Sequence, residues 1–343
     1  MTIDTYGLDR VVRPAGVLPQ RAEVLDPSLP VREGELLIDV EQLNIDAASF
    51  RQIEKQENGD IEGIKAHIRE IVGTRGKMHN PVTGSGGMLL GRVREIRKGH
   101  PAEGHLQVGD RIATLVSLTL TPLKLERIDA VHKEIERVDV KGHAILFASG
   151  LYAKLPADLD ESLALAALDV CGAPALTKRL VKPGMRVLVL GAGKSGALCC
   201  AQAKANGARQ VLALDISEPA LERLKNADLV DGTLVGDATR PAKVLAAVTE
   251  ATDGELCDFV INCASVQETE LASILSCRRH GGVLFFSMAT NFTAAALGTE
   301  GVGKDVTLYI GNGYAEGHAE LTLELLRTHR GLRKLFEEKY SRR

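Results

Sequence analysis

Three glycines in the segment Gly191-Ala192-Gly193-Lys194-Ser195-Gly196 have the spacing of a phosphate-binding turn. The apolar run Arg186–Leu190 leads into them and an alanine-rich stretch follows, so the turn should join a buried strand to a helix. In that setting Gly191 permits the tight turn, Gly193 lets the backbone approach a pyrophosphate, and Gly196 lets helix and strand pack closely. The helix N-terminus adds free N–H groups and a positive dipole. Asp215 lies 19 residues past Gly196, at the end of the next apolar run, where it can accept hydrogen bonds from ribose hydroxyls. Its charge would repel a 2′-phosphate, so NAD is expected over NADP. Lys194 either approaches the cofactor phosphates or is simply solvated. Gly193-Lys194-Ser195 is not the end of a P-loop, because the glycine required five positions before Gly193 is Leu188.

Ligands of parallel α/β sheets bind outside the carboxyl ends of the strands. That rule adds Ile216, Asp237, Cys263, Ala264, Ser287 and Met288 to the candidate cofactor contacts, with Asn262–Ser265 and Gly311–Gly313 beside them. Cys263 reads as a small packing residue rather than a nucleophile, and Cys199 and Cys200 as core.

The elements that must position these residues alternate through the second half. Strands are expected at 186–190, 211–214, 232–235, 259–261, 283–286 and 306–310. Helices are expected at 195–206, from 217, at 267–279, 319–327 and 332–339, with Gly281-Gly282 as a turn. The pattern predicts an α/β fold with a doubly wound, mostly parallel Rossmann sheet and right-handed crossovers. The first half differs. Strands at 35–40, 88–96 and 110–116 with one helix at 60–72 read as a β-rich, barrel-like domain. The expected division is 1–165 for the substrate domain, 166–315 for the NAD-binding domain and 316–343 for C-terminal helices. These helices would complete the Rossmann side or pack on the substrate domain.

Composition bounds the function. The 343 residues are 45% hydrophobic and 25% charged with a formal net charge of −3, so no global field favours nucleic acid or an anionic membrane. The basic segment Arg327–Arg343 reads as a solvated helix face. There is no apolar run long enough to span a membrane and no apolar stretch behind the charged N-terminus, so a cytoplasmic enzyme is expected. The cysteines are Cys171, Cys199, Cys200, Cys257, Cys263 and Cys277, with no Cys-x-x-Cys pair. Neither a structural zinc lobe nor a disulfide framework is expected.

A β-rich domain carrying Gly109-Asp110-Arg111, followed by a Rossmann unit introduced by Val181-Lys182-Pro183-Gly184, resembles the medium-chain dehydrogenase/reductase superfamily. The resemblance implies a GroES-like catalytic domain, a Rossmann domain and a cleft between them. It also implies a homodimer or tetramer paired through the strand near 306–310. The three catalytic zinc ligands of metal-dependent members align with Asp46, Gly87 and Cys171, so only one is kept and no metal is expected. Within the superfamily, Thr83–Val93, Val187–Gly196 and Asp258–Cys263 resemble a branch that oxidises an amine of a small diamino acid with NAD.

Amine oxidation requires a base for the ammonium proton, a water to attack the iminium carbon, and partners for the remaining charges. Asp46 is the candidate base or ammonium anchor, with a loop carboxylate capping its own backbone as the alternative. Ser85 and Ser49 can hydrogen-bond substrate or water, Cys171 can line the site, and Asp169 is a second acidic candidate. Arg75, Lys77 and His79 either bind the substrate carboxylate or form a solvated surface loop, the second being the expectation. Two rival readings are a zinc-independent quinone or enoyl reductase and a non-catalytic NAD-binding protein.

Overall fold

The computed structural model describes residues 3–311 and 313–340. The chain divides into two units, the first running to Pro156 and the second starting at Ala157.

In the first unit a short antiparallel ribbon, β1 (Val11–Arg13) with β2 (Val24–Leu25), precedes the long strand β3 (Glu35–Ile45). Two helices follow, α1 (Ala47–Gln56) and α2 (Ile61–Arg75). The unit then runs through β4 (Gly87–Ile96), β5 (Arg111–Thr114), β6 (Leu123–His132), β7 (Arg137–Phe147) and β8 (Tyr152–Lys154). Strands β3 to β8 form one antiparallel sheet in the order β6-β7-β3-β4-β5-β8. Its core sets Leu36, Ile38, Leu43 and Ile45 of β3 and Leu89 and Val93 of β4 together with Ile64 and Ile68 of α2.

Strands β6 and β7 and helix α1 go beyond the sequence expectation. Helix α1 buries only Phe50, Ile53 and Ser49, too few apolar positions to stand out in the sequence; its start is set by Asp46, which caps it. The segment 75–79 is a correction. Arg75 ends α2, and Lys77 is fully buried rather than solvated. The Lys77 ammonium donates to the backbone carbonyls of Thr119 (2.6 Å), Pro19 (2.8 Å) and Gln20 (3.3 Å). Burial, and then the charge of Arg75, lowers its pKa to about 8.

The second unit opens with α3 (Glu161–Leu168) and α4 (Gly172–Leu180). It continues β9 (Arg186–Leu190), α5 (Lys194–Ala205), β10 (Gln210–Asp215), α6 (Glu218–Asn226), β11 (Gly232–Val235) and α7 (Pro241–Ala251). Then come β12 (Cys257–Asn262), α8 (Glu270–Ser276), β13 (Cys277–Phe285), α9 (Phe292–Gly301) and β14 (Thr307–Ile310), closed by α10 (His318–Thr328) and α11 (Arg330–Tyr340). The six strands are parallel in the order β11-β10-β9-β12-β13-β14. This is the doubly wound Rossmann order, and the direction of winding reverses between β9 and β12.

Here too one expectation changes. The helix expected to reach residue 279 stops at Ser276, and Gly281-Gly282 lies inside β13 rather than in a turn. A Cβ on Gly281 would sit 2.6 Å from the carbonyl oxygen of Asp258, and one on Gly282 2.5 Å from the Phe259 ring. These glycines serve close strand packing. In the basic C-terminal segment, Arg327 pairs with Asp158 (2.8 Å) and Arg333 with Glu337 (2.8 Å), while Leu332 and Phe336 are buried. Ser341–Arg343 lie outside the described residues. Among the described residues no helix is long and apolar enough to cross a membrane.

The Lys77 mooring is testable. Lys77→Met keeps the volume but strands three carbonyls, which should cost about 3 kcal/mol. Thermal unfolding should show the transition falling by roughly 6–12 °C. An unchanged transition would mean that these carbonyls do not depend on the ammonium.

Candidate active site

In the second unit the turn after β9 is shaped by its three glycines in three different ways. Gly191 has a φ of +96°, in the region side chains disfavour, and a Cβ there would lie 3.0 Å from the Ala264 nitrogen. Gly193 caps α5 with no side-chain bond, and a Cβ on it would meet nothing within 4 Å. A Cβ on Gly196 would collide with the carbonyl oxygen of Gly191. The space over Gly193 is thus open, while Gly191 and Gly196 are committed to packing.

Asp215, the last residue of β10, binds the turn directly. Its Oδ2 accepts from the Ala192 N–H (2.7 Å) and its Oδ1 from the Ser217 N–H (2.8 Å). Each oxygen keeps a further lone pair. Ile216, next in sequence, is 74% exposed, and Met288, beyond the end of β13, is 88% exposed. Both follow strands at the carboxyl edge of the parallel sheet.

The other candidates of this unit have definite partners. Lys194, the first residue of α5, forms an ion pair with Asp169 (2.5 Å), and its ammonium lies 5.9 Å from the centre of the Tyr340 ring. Burial, then the charge of Asp169, raises the Tyr340 phenol to about 12. Ser195 is half-buried one residue further along α5. Asp237 is exposed after β11, and the hydroxyl and N–H of Thr239 hold its carboxyl below the ordinary value. The Cys263 sulfur is 3.9 Å from that of Cys199, and the contact with Cys199, followed by burial, raises its pKa.

The Ala264 N–H donates to Asn262 Oδ1 (3.1 Å), and the Asn262 amide donates in turn to Thr269 (2.8 Å) and Ser273 (2.9 Å). This buried asparagine therefore shapes the loop facing Gly191. Ser287 Oγ accepts from the Ala289 N–H (3.2 Å). The Gly311 N–H donates to the Phe285 carbonyl (2.7 Å), and Asn312 lies outside the described residues. Cys171 precedes α4 and is buried, which pushes its thiol up to about 12. Burial thus favours the neutral thiol, which can line a site.

In the first unit the pairing of β3 with β4 places Ile45 opposite Gly87, and so sets Asp46 beside the turn 83–86. The Asp46 N–H donates to the Gly86 carbonyl at 3.3 Å. Gly87 has a φ of +107°, and a Cβ there would collide with the Asn44 carbonyl oxygen, so the backbone leaves no room for a histidine. Asp46 is exposed, and its Oδ1 collects three donors: the N–H groups of Ala48 (3.0 Å) and Ser49 (3.4 Å) and the Ser85 hydroxyl (3.1 Å). Oδ2 is engaged by none of the described residues.

Ser85 lies 2.6 Å from the Ser49 hydroxyl, which lies 2.5 Å from the Thr83 hydroxyl. Asn80 clamps this group, accepting from the Val82 N–H (2.8 Å) and donating to Gln52 Oε1 (2.8 Å). Thr83 and Asn80 escape the sequence reading because nothing but the fold sets them near Ser49. Of the candidate cations, Lys77 is committed to carbonyls. Burial, with Lys77 and Arg75 nearby, lowers the His79 pKa to about 4, so it is neutral at physiological pH. Among the described residues no three His, Cys, Asp or Glu side chains converge on a metal position.

Residues 9–156 match the family described as the L-erythro-3,5-diaminohexanoate dehydrogenase N-terminal domain, and residues 187–295 match the TrkA-N domain. The chain is 52% identical to the L-erythro-3,5-diaminohexanoate dehydrogenase of Acetoanaerobium sticklandii over 98% of both chains. It is 50% identical to that of Fusobacterium nucleatum, again over 98% of both. Among solved structures it resembles an alcohol dehydrogenase of Thermotoga maritima (TM-score 0.56, 17% identity, 91% of this chain and 88% of that one). A mycobacterial quinone oxidoreductase is similar too (TM-score 0.53, 20% identity, 94% and 84%). At these identities the structures speak to the fold, which is that of the medium-chain dehydrogenases. With half its residues identical across nearly its whole length, the chain belongs to the L-erythro-3,5-diaminohexanoate dehydrogenase family.

Proposed function

We propose that this protein oxidatively deaminates the 3-amino group of L-erythro-3,5-diaminohexanoate with NAD, giving 5-amino-3-oxohexanoate, ammonia and NADH. The observation that carries the proposal is the full-length identity to two enzymes of that name. We assign the reaction to cytoplasmic lysine fermentation, a reading supported by the diamino acid in the name of both relatives. Zinc-independence is supported by Gly87, which takes the position of a metal-binding histidine and whose backbone admits no side chain. Assembly into a homo-oligomer is supported by β14, an edge strand with open ladder groups.

The second unit fits a dinucleotide. The first N–H groups of α5 have no intrahelical partners and border the open space over Gly193, which suits a pyrophosphate. Asp215 retains lone pairs for the ribose hydroxyls and opposes a 2′-phosphate. Ile216 and Met288 offer apolar faces to the two ring systems, with Ala264, Cys263, Ser287, Asp237, Lys194 and Ser195 around the rim. Bound NAD supplies the hydride acceptor.

The first unit supplies the acid–base chemistry. Oδ2 of Asp46 receives the substrate ammonium and takes one proton, leaving a neutral amine that can release hydride from its carbon. The three donors on Oδ1 orient the ionised carboxylate for this. Water then adds to the iminium carbon and ammonia departs. Cys171, as a neutral thiol, contributes a surface and not a proton.

NAD reduction with L-erythro-3,5-diaminohexanoate should release one ammonia per NADH, with NADP, simple alcohols and enones giving little turnover. Turnover of enones with NADPH, and none of the diamino acid, would replace this proposal with a quinone or enoyl reductase. Asp46→Asn should lower kcat by about 10²–10⁴-fold while NADH binding, followed by its fluorescence, stays unchanged. Gly193→Ala should fold as the parent does but bind NADH at least about tenfold more weakly, because its methyl enters the phosphate space. Gly196→Ala should instead lower the unfolding temperature, since its methyl strikes the Gly191 carbonyl.

A further inference from the structure

We propose that Ser85, Ser49 and Thr83 form a proton relay between Asp46 and solvent. This rests on the proposed role of Asp46 as the base. The chain of contacts runs Asp46 Oδ1, Ser85 Oγ at 3.1 Å, Ser49 Oγ at 2.6 Å and Thr83 Oγ1 at 2.5 Å. Each hydroxyl carries one proton and can accept others. An ionised carboxylate only accepts, so Ser85 must donate to Asp46. The Ser85 proton is then spent, so Ser49 donates to Ser85, and Thr83 donates to Ser49. While Asp46 is ionised the series thus points inward; once Asp46 is protonated it accepts no proton from Ser85, and each hydroxyl can turn about its C–O bond to donate outward.

The burial profile matches a conduit. Ser49, in the middle, is fully buried, Ser85 is half-buried, and Thr83 is exposed, so its remaining lone pairs meet water. The turn that holds the outer members is itself built from buried groups. Asn80, fully buried, accepts from the Val82 N–H with its side chain and from the Gly84 N–H with its carbonyl (2.9 Å). Gly84, at a φ of +71°, reverses the chain so that the hydroxyls of Thr83 and Ser85 lie 3.2 Å apart.

The need for an exit follows from the proposed chemistry. While substrate occupies the Oδ2 side of Asp46, the proton taken from the ammonium cannot leave by that route. An N–H bond of the ammonium breaks and an O–H bond forms on Asp46. A half-turn of the carboxyl about its Cβ–Cγ bond exchanges its two oxygens, so the three contacts on the inner side break, the two from N–H groups re-form on the other oxygen, and the O–H comes to face Ser85. The Asp46 proton then passes to Ser85 as the Ser85 proton passes to Ser49, the Ser49 proton to Thr83 and the Thr83 proton to water. Each hydroxyl gains one proton and loses one, the carboxylate is regenerated, and one proton reaches solvent. No electrons move in this step.

The test uses Thr83→Val and Thr83→Ala, which remove the outer hydroxyl at an exposed position, and Thr83→Ser, which keeps it. Turnover is read across pH and at rising imidazole buffer, with NADH binding as the control for folding. Thr83→Val and Thr83→Ala should each lose about tenfold in kcat, short of the loss from removing the base. Imidazole should restore them, and Thr83→Ser should behave as the parent. A parental kcat in both truncated variants would overturn the relay. So would a loss that imidazole does not restore and that leaves the pH profile unchanged, since a purely structural hydroxyl behaves that way. Full turnover by Asp46→Asn removes the base and the relay together. Impaired Asp46→Asn beside parental Thr83 variants leaves the base and removes only the relay.

Discussion

A Cβ on Gly196 would strike the carbonyl of Gly191, so α5 can approach β9 only while that position stays glycine. Much in the second unit follows from this approach. It turns the start of α5 toward the point where the sheet reverses its winding, next to the loop after β12. There the N–H groups of a helix and the open space over Gly193 lie beside the carboxylate of Asp215, which holds the Ala192 N–H.

The first unit solves a similar problem with strand register. Pairing Ile45 with Gly87 places the end of β3 beside the turn before β4, and one carboxylate and three hydroxyls meet across it. A shift by one residue would turn the side chains of β4 to the opposite face and displace the turn before it from Asp46. The two alternatives for Asp46 therefore do not exclude each other. One oxygen caps α1 and the other is left over.

Local patterns were legible in the sequence, and long-range ones were not. The strand–turn–helix around Gly191 and the acidic residue ending β10 can be read because each involves neighbours along the chain, and the alternation that follows names the fold class. The hydroxyl group around Ser49 cannot be read this way, since its members lie 34 and 36 residues apart and serine and threonine are common everywhere. Lys77 misleads for another reason. Its partners are backbone carbonyls, which leave no mark on sequence, so a buried ammonium looks like any surface lysine. Gly281-Gly282 shows that a glycine pair can signal tight sheet packing as readily as a turn.

Asp215 has one further consequence. The carboxylate proposed to read the ribose also ties the glycine turn to the cap of α6, through Ala192 on one oxygen and Ser217 on the other. Cofactor choice and loop architecture thus share a single side chain. A lineage drifting toward the phosphorylated dinucleotide could not simply discard the acid, because the same change would unfasten two backbone N–H groups. The proposed preference for NAD would thus be reinforced by the fold of the loop itself.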